Sequence, residues 1–135
     1  MISAITNQGT VRFMLYREKM SSPVLITFMS RLIKDSHRKV FLILDNLKVH
    51  HSIKVAAWLK TNRDKIEVFY LPPYSPEHNP DEYLNGDLKQ RIRSGLPARS
   101  QNDLIKKAHS FMKTLQKRPQ HVNNYFKHPK AIYAA

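Results

Sequence analysis

Two acidic residues, Asp45 and Glu82, stand where a protein could use carboxylates for chemistry on phosphate. Asp45 directly follows the apolar run 40–44, and the functional groups of parallel α/β sheets gather at the carboxyl ends of the strands. Glu82 ends a stretch, residues 70–82, in which four prolines stiffen the backbone. Two such carboxylates can hold divalent metal ions that clamp the attacking and leaving oxygens of a phosphodiester. Mg²⁺ is the expected metal, because it prefers hard oxygen ligands.

Each of these acids also has a purely structural interpretation. Asp45 could be a turn residue after a strand. Glu82 could complete an N-terminal capping box with Asn79, because Asn79 suits the cap, Pro80 suits the first helical position, and Glu82 comes three residues after the cap. The residues around each acid favour neither the structural role nor metal binding. The presence of both acids in one chain favours metal binding.

The charge of the chain points to a polyanionic partner. Of 135 residues, 23 are Lys or Arg and 10 are Asp or Glu, which gives a formal net charge of +13. Such an excess indicates nucleic acid most simply, with anionic membrane or the ribosome as alternatives. No apolar run reaches the ~20 residues of a membrane span, and no signal peptide is recognisable. The absence of cysteine fits a cytoplasmic protein.

The pattern of apolar residues predicts alternating strands and helices. We expect strand 40–44, which lacks alternation, to be central and covered on both faces. Parallel pairing through crossovers, beside an antiparallel hairpin, predicts an α/β fold with a mixed sheet. The predicted elements are strands 2–6 and 11–16, a helix capped by Ser22, strand 40–44, a helix near Ser52 that buries Val55, Ala56, Trp58 and Leu59, strand 66–71, a helix over 80–91, and an amphipathic helix from Ser100 that ends at Pro119.

Two motifs resemble those of a known family. The run 41–46, Phe-Leu-Ile-Leu-Asp-Asn, is followed four residues after the Asn by His50, and the run 71–82 reads Leu-Pro-Pro-Tyr-Ser-Pro-Glu-His-Asn-Pro-Asp-Glu. Together they resemble the motifs of the mariner-related bacterial insertion-sequence transposases, and the resemblance extends over essentially the whole chain. It implies a ribonuclease-H-like fold and an Asp-Asp-Glu triad that binds Mg²⁺ or Mn²⁺ and cuts and joins DNA. By motif, Asp45 resembles the second acid and Glu82 the third, with Asn46 and His50 as supporting residues.

The chain also departs from the family pattern. In the family the first Asp ends a central strand that precedes the region where this sequence begins, and no acid here replaces it. We therefore expect a single truncated catalytic domain with a helical extension at about 98–135, inactive alone. The missing strand would be replaced by direct pairing of 2–6 with 40–44, by a homodimer, or by an upstream-encoded transposase segment. The expected location is the bacterial cytoplasm, at the nucleoid.

Several neighbouring residues have weaker predicted roles. His50 is either a polar neighbour of the carboxylates or a surface histidine. Asp81 is expected to be only a favourable charge at a helix N-terminus, and Asp87 to face elsewhere. Tyr74 is expected to pack on the proline loop rather than to stack on a base. The lysines of the last long helix are either a solvated face or a track for phosphates.

The sequence therefore predicts a fragment of a DDE transposase catalytic domain. The alternative is a non-catalytic DNA-binding or assembly module that acts as partner or inhibitor of a full-length transposase. An added segment bearing the first Asp would restore activity in the first case only.

Overall fold

The computed structural model describes all 135 residues, which form four strands and five α-helices. None of the helices combines the length and apolar character needed to cross a membrane. In chain order the elements are β1 (Ile2–Ile5), β2 (Val11–Met14), α1 (Ser22–Lys34), β3 (Val40–Leu44), α2 (Ile53–Thr61), β4 (Ile66–Tyr70), α3 (Pro80–Ser94), α4 (Gln101–Gln116) and α5 (Pro119–Asn124).

The chain divides into two compact units. We call Tyr16–Pro76 the central unit, and we call Met1–Leu15 together with Glu77–Ala135 the terminal unit. The central unit contains α1, β3, α2 and β4, and the terminal unit contains the other strands and helices.

The central unit is built on a parallel pair of strands. β3 and β4 pair in the register Val40↔Ile66 to Leu44↔Tyr70, as the strand–helix–strand order predicts. The prediction that β3 is covered on both faces was wrong, because Phe41 is 63% and Ile43 42% exposed while Leu42 is buried. The strand therefore packs on one face only. On the open face the rings of Phe41 and Phe69 stack at 6.4 Å between centroids.

The helices of the central unit begin close to their predicted positions. Ser52 caps α2, and its hydroxyl accepts a hydrogen bond from the Val55 amide at 3.2 Å. Four residues of α2 were predicted to be buried, and only Val55 is. Trp58 is half-buried and Ala56 is exposed. A helix that covers a two-stranded sheet has only a narrow face to bury.

The first helix has a different cap from the predicted one. α1 is preceded by Ser21 at the cap position, and Pro23 lies in its first turn. Ser22, the predicted cap, is a helical residue, and its hydroxyl lies 2.7 Å from that of Ser52.

The terminal unit packs helices against an antiparallel hairpin. β1 and β2 pair in the register Ile2↔Met14 to Ile5↔Val11. Gly9 in the connecting turn has φ +91°, and an added Cβ would lie 2.6 Å from Pro119, so both the backbone angle and the close approach require glycine. The apolar core of this unit combines side chains of β2, of the three helices and of the residue after α5: Val11, Leu84, Met112, Leu115, Val122 and Tyr125.

The fold class is α/β, as predicted, but the sheets are small. The hairpin and the parallel pair are separate two-stranded sheets rather than one mixed sheet. Consequently, the direct pairing of 2–6 with 40–44 is not formed. The single-domain organisation and the extension at about 98–135 stay predictions.

Candidate functional site

Asp45 lies at the carboxyl end of β3 and is half-buried. Its backbone carbonyl is hydrogen-bonded by ring atom Nδ1 of His50. A carbonyl can only accept, so Nδ1 of His50 carries the proton of this hydrogen bond. His50 is only 7% exposed, which excludes the surface-histidine alternative. The turn that carries Asp45 is therefore fixed from within by the histidine five residues later.

A second layer of contacts holds this turn against β4. The Tyr70 hydroxyl donates to the His50 carbonyl oxygen at 2.7 Å, and the Tyr70 ring lies 4.1 Å from that of His51. His51 Nε2 in turn hydrogen-bonds Oδ1 of Asn46. Burial raises the pKa of Tyr70 above its usual 10.0, so this phenol stays a donor at neutral pH. Sequence reasoning missed Tyr70, because nothing in a strand pattern shows which hydroxyl will meet a loop carbonyl.

Glu82 lies in the first turn of α3 and is half-buried. The turn begins as predicted, since the Asn79 side chain caps the helix by accepting from the Asp81 amide at 3.0 Å. The Glu82 amide donates to the Asn79 carbonyl at 3.0 Å, and Glu82 Oε1 lies 3.5 Å from Nδ2 of Asn85. A carboxylate at this position is stabilised by the positive end of the helix dipole.

Asp81 has a larger role than the predicted N-terminal charge. The Ser3 hydroxyl hydrogen-bonds both of its carboxylate oxygens, at 2.7 and 2.9 Å. This contact ties the start of α3 to β1 and thereby orients the turn that carries Glu82. A lone serine on a half-buried strand gives no signal of this partner in the sequence.

The segment before α3 is clasped by the C-terminal end of the chain. The Tyr133 hydroxyl donates to the His78 carbonyl at 2.6 Å, and His78 Nδ1 lies 2.9 Å from the Lys130 carbonyl oxygen. The Tyr83 hydroxyl lies 2.7 Å from the Glu77 carbonyl oxygen and 2.8 Å from Nδ1 of a histidine, His128. We call residues 128–133 the C-terminal clasp.

Asp87 anchors the same end of the chain. Its carboxylate accepts a 2.6 Å hydrogen bond from the Tyr125 hydroxyl and lies 3.1 Å from Nε2 of His121. Burial, with this hydrogen bond and the nearby negative charge, raises the pKa of Tyr125 far above its usual 10.0. Asp87 therefore has a structural role, because its carboxylate is bonded to Tyr125 and lies beside His121. This agrees with the expectation that Asp87 does not face the predicted metal ligands.

Tyr74, in the proline loop of the central unit, was predicted wrongly. It is fully exposed, so it does not pack on the loop. Its φ of 56° lies in the left-handed region, which is uncommon for a bulky side chain. The prolines on either side hold the backbone of this loop, and the ring projects into solvent.

The predicted site residues fall into both units. Asp45, Asn46 and His50 belong to the central unit, and Glu82 belongs to the terminal unit. No group of three or more His, Cys, Asp or Glu side chains is gathered as a metal site requires. Carboxylate oxygens suit Mg²⁺, and the two predicted ligands, Asp45 and Glu82, are both half-buried. The catalytic, supporting and metal-binding roles of these residues remain predictions.

Comparison with known proteins gives two findings. A family model described as "DDE superfamily endonuclease" matches residues 1–105. Over 102 residues the chain is 36% identical to a Shigella sonnei protein named "Insertion element IS630 uncharacterized 39 kDa protein". That match covers 73% of this chain and 29% of the relative, so the chain spans less than a third of that relative's length.

Proposed function

Because the chain belongs to the DDE superfamily endonucleases, we propose that it is part of the catalytic domain of an insertion-sequence transposase. It would act in metal-dependent cleavage and strand transfer at DNA phosphodiester bonds. The observation that carries the proposal is the Asp45 turn, where a half-buried carboxylate follows a strand of a parallel pair and a buried histidine holds its backbone.

Two carboxylates would bind the metal in this proposal. Asp45 is the second acid and Glu82 the third acid of the triad, and the fold of the complete domain is ribonuclease-H-like. When bound, Mg²⁺ or Mn²⁺ supplies Lewis acidity at the phosphate oxygens. His50 keeps the Asp45 turn in one conformation, and Asn46 acts through its bond to His51.

In this proposal the first Asp of the triad is not among the acids of these 135 residues, as the resemblance to the family motifs implies. It would be supplied by an upstream-encoded segment or by another chain, and the 135 residues alone would have little or no activity. DNA is the proposed partner, because the net charge of +13 suits a phosphate backbone.

Mn²⁺ affinity tests the assignment of the two acids without requiring activity. We expect weak binding that D45N and E82Q each reduce by about tenfold or more, a loss of the size that even outer-shell partners cause. The matched control is D64N, which removes an exposed acid of the central unit and should leave the affinity unchanged. Equal affinities in all four proteins would overturn the assignment.

Complementation separates the enzyme from its alternative. A family segment that carries a strand ending in Asp, fused to the chain or added separately, should restore cleavage of DNA. The same segment with Asn in place of that Asp is the control. If neither segment gives cleavage while the chain still binds DNA, the chain is a non-catalytic DNA-binding or assembly module instead.

A further inference from the structure

The terminal unit contains a groove that the proposed chemistry does not use. It has a volume of about 560 Å³ and lies between the C-terminal end of α3 and the outer face of α4. Ligand pockets in proteins have volumes of about 300–1,000 Å³. Most of its lining, Lys106 onward, lies beyond residue 105, where the match to the family ends.

The rim of this groove is strongly basic. Four of the lining residues are cationic, Arg91, Lys106, Lys107 and Arg118, and none is acidic. An anionic ligand is therefore favoured, because cations around a partly enclosed surface reinforce one another's potential.

The walls of the groove are apolar. Phe111 and Ile92 are half-buried, and Leu96 is 83% exposed at the open edge. Phe111 also packs against the core of the terminal unit, which fixes its ring. The Lys107 ammonium donates to the Leu96 carbonyl and so fixes the turn that forms the edge. The groove is consequently a preformed surface with a basic rim and an aromatic wall.

We propose that this groove binds an unpaired nucleotide of a DNA strand, with its base against Phe111 and its phosphates on Arg91 and Lys106. The inference rests on the proposed function only for the identity of the partner as DNA. A nucleotide is the ligand that combines several negative charges with a flat apolar face, and base–aromatic stacking contributes about 1–3 kcal/mol per base in single-strand binding.

An unpaired strand suits the groove better than a duplex. The bases of a duplex are stacked on both sides, so their faces cannot reach an aromatic side chain. A site that bound only the phosphates of a duplex would gain nothing from an apolar wall. Duplex backbone binding is therefore the competing outcome, and it predicts sensitivity to the basic residues without sensitivity to Phe111.

The experiment measures the affinity of the whole chain for a labelled oligothymidylate and for a duplex of equal phosphate number, across a salt series in EDTA. The groove variant R91Q/K106Q should lose about tenfold in oligothymidylate affinity. Its single-strand salt slope should be smaller by about 1.4, at about 0.7 per phosphate contact. The matched variant K89Q/K113Q removes two exposed cations from the same two helices but outside the groove, and should lose less than about threefold.

The second arm tests the aromatic wall. F111L keeps apolar volume and removes the ring, so single-strand affinity should fall about fivefold or more while duplex affinity changes less than about twofold. Thermal melting of each variant establishes that it folds. Equal losses in the groove and control variants, or equal losses of F111L on both DNAs, would overturn the proposal, as would failure of the unaltered chain to bind oligothymidylate.

These outcomes are distinct from failure of the proposed function. The assay contains EDTA, so the oligothymidylate affinities are measured with no metal at Asp45 or Glu82. If Mn²⁺ binding does not depend on these acids but the groove variants still lose affinity, the metal site fails and the groove stands.

Discussion

The turn that carries Asp45 and the turn that carries Glu82 are held in different ways. In the central unit the contacts are local: His50 and His51 bond residues five positions earlier, and Tyr70 bonds a residue 20 positions away. In the terminal unit the contacts are distant: Ser3 reaches Asp81 across 78 positions, and residues of the C-terminal clasp reach back across 45 to 55.

This difference determines what each turn needs in order to form. Closing a short loop costs less conformational entropy than closing a long one. The Asp45 turn therefore depends mainly on its own segment, while the Glu82 turn requires the hairpin, the helices and the C-terminal clasp to assemble together. A substitution at one turn should therefore leave the other turn unchanged.

The largest expected effect comes from the core of the terminal unit. Leu84 is fully buried two residues after Glu82, so L84A should lower the free energy of unfolding by about 2–5 kcal/mol. Hydrogen exchange should show loss of protection in α3 while α1 keeps it. L104A, at a position 42% exposed on α4, should cost less than about 1 kcal/mol. Equal loss of protection in α1 and α3 would mean that the two units unfold together, and would contradict the conclusion that the two turns are held independently.

The second-largest effect is expected from the hydrogen bond between Ser3 and Asp81, which are 78 positions apart in the chain. S3A removes the donor to the Asp81 carboxylate and should cost about 1.5–3 kcal/mol, the usual range for hydrogen bonds to charged groups. S30A removes a hydroxyl that bonds the carbonyl four residues earlier on an exposed helix face, and should cost at most about 0.5 kcal/mol. Urea denaturation of both variants measures the difference. If S3A and S30A have similar urea midpoints, the long-range hydrogen bond of Ser3 contributes no more to stability than the local bond of Ser30.

A smaller and more local effect is expected at His50. H50Q should remove the bond to the Asp45 carbonyl and cost about 1–2 kcal/mol. Hydrogen exchange should increase in 45–52 and stay unchanged in α3. H37Q, at an exposed histidine of the same unit, is the control. If the change spreads to α3, the Asp45 turn is not held locally.

The smallest effect is confined to alkaline pH. The pKa of Tyr125 is raised in the folded chain, so its contribution to stability is complete below pH 10 and falls as the pH rises further, because the unfolded chain then loses the proton first. The slope from one such group is at most about 1.4 kcal/mol per pH unit. Y125F should remove that part of the slope between pH 10 and 11, whereas Y74F, at a fully exposed tyrosine, should not. Identical slopes in both variants would contradict the assigned burial.

Much of the local structure could be predicted from sequence because its causes lie within a few residues. The hairpin of β1 and β2, the helix starts near Ser52, Asn79 and Ser100, and the parallel pairing of β3 with β4 all follow from patterns in the sequence. The burial of Ala56 and the packing of Tyr74 were predicted wrongly, because burial depends on partners that a periodic pattern does not name.

The sequence by itself determined the strand–helix order, the family motifs around Asp45 and Glu82, and the excess of positive charge. Only the tertiary structure decided that one face of β3 is open, that Ser3 holds Asp81, that Tyr125 holds Asp87, and that α3 and α4 form a basic groove. The physical reason is the same in each case. Propensities and caps act between neighbours in the chain, whereas exposure and long-range hydrogen bonds are set by which distant segments pack together.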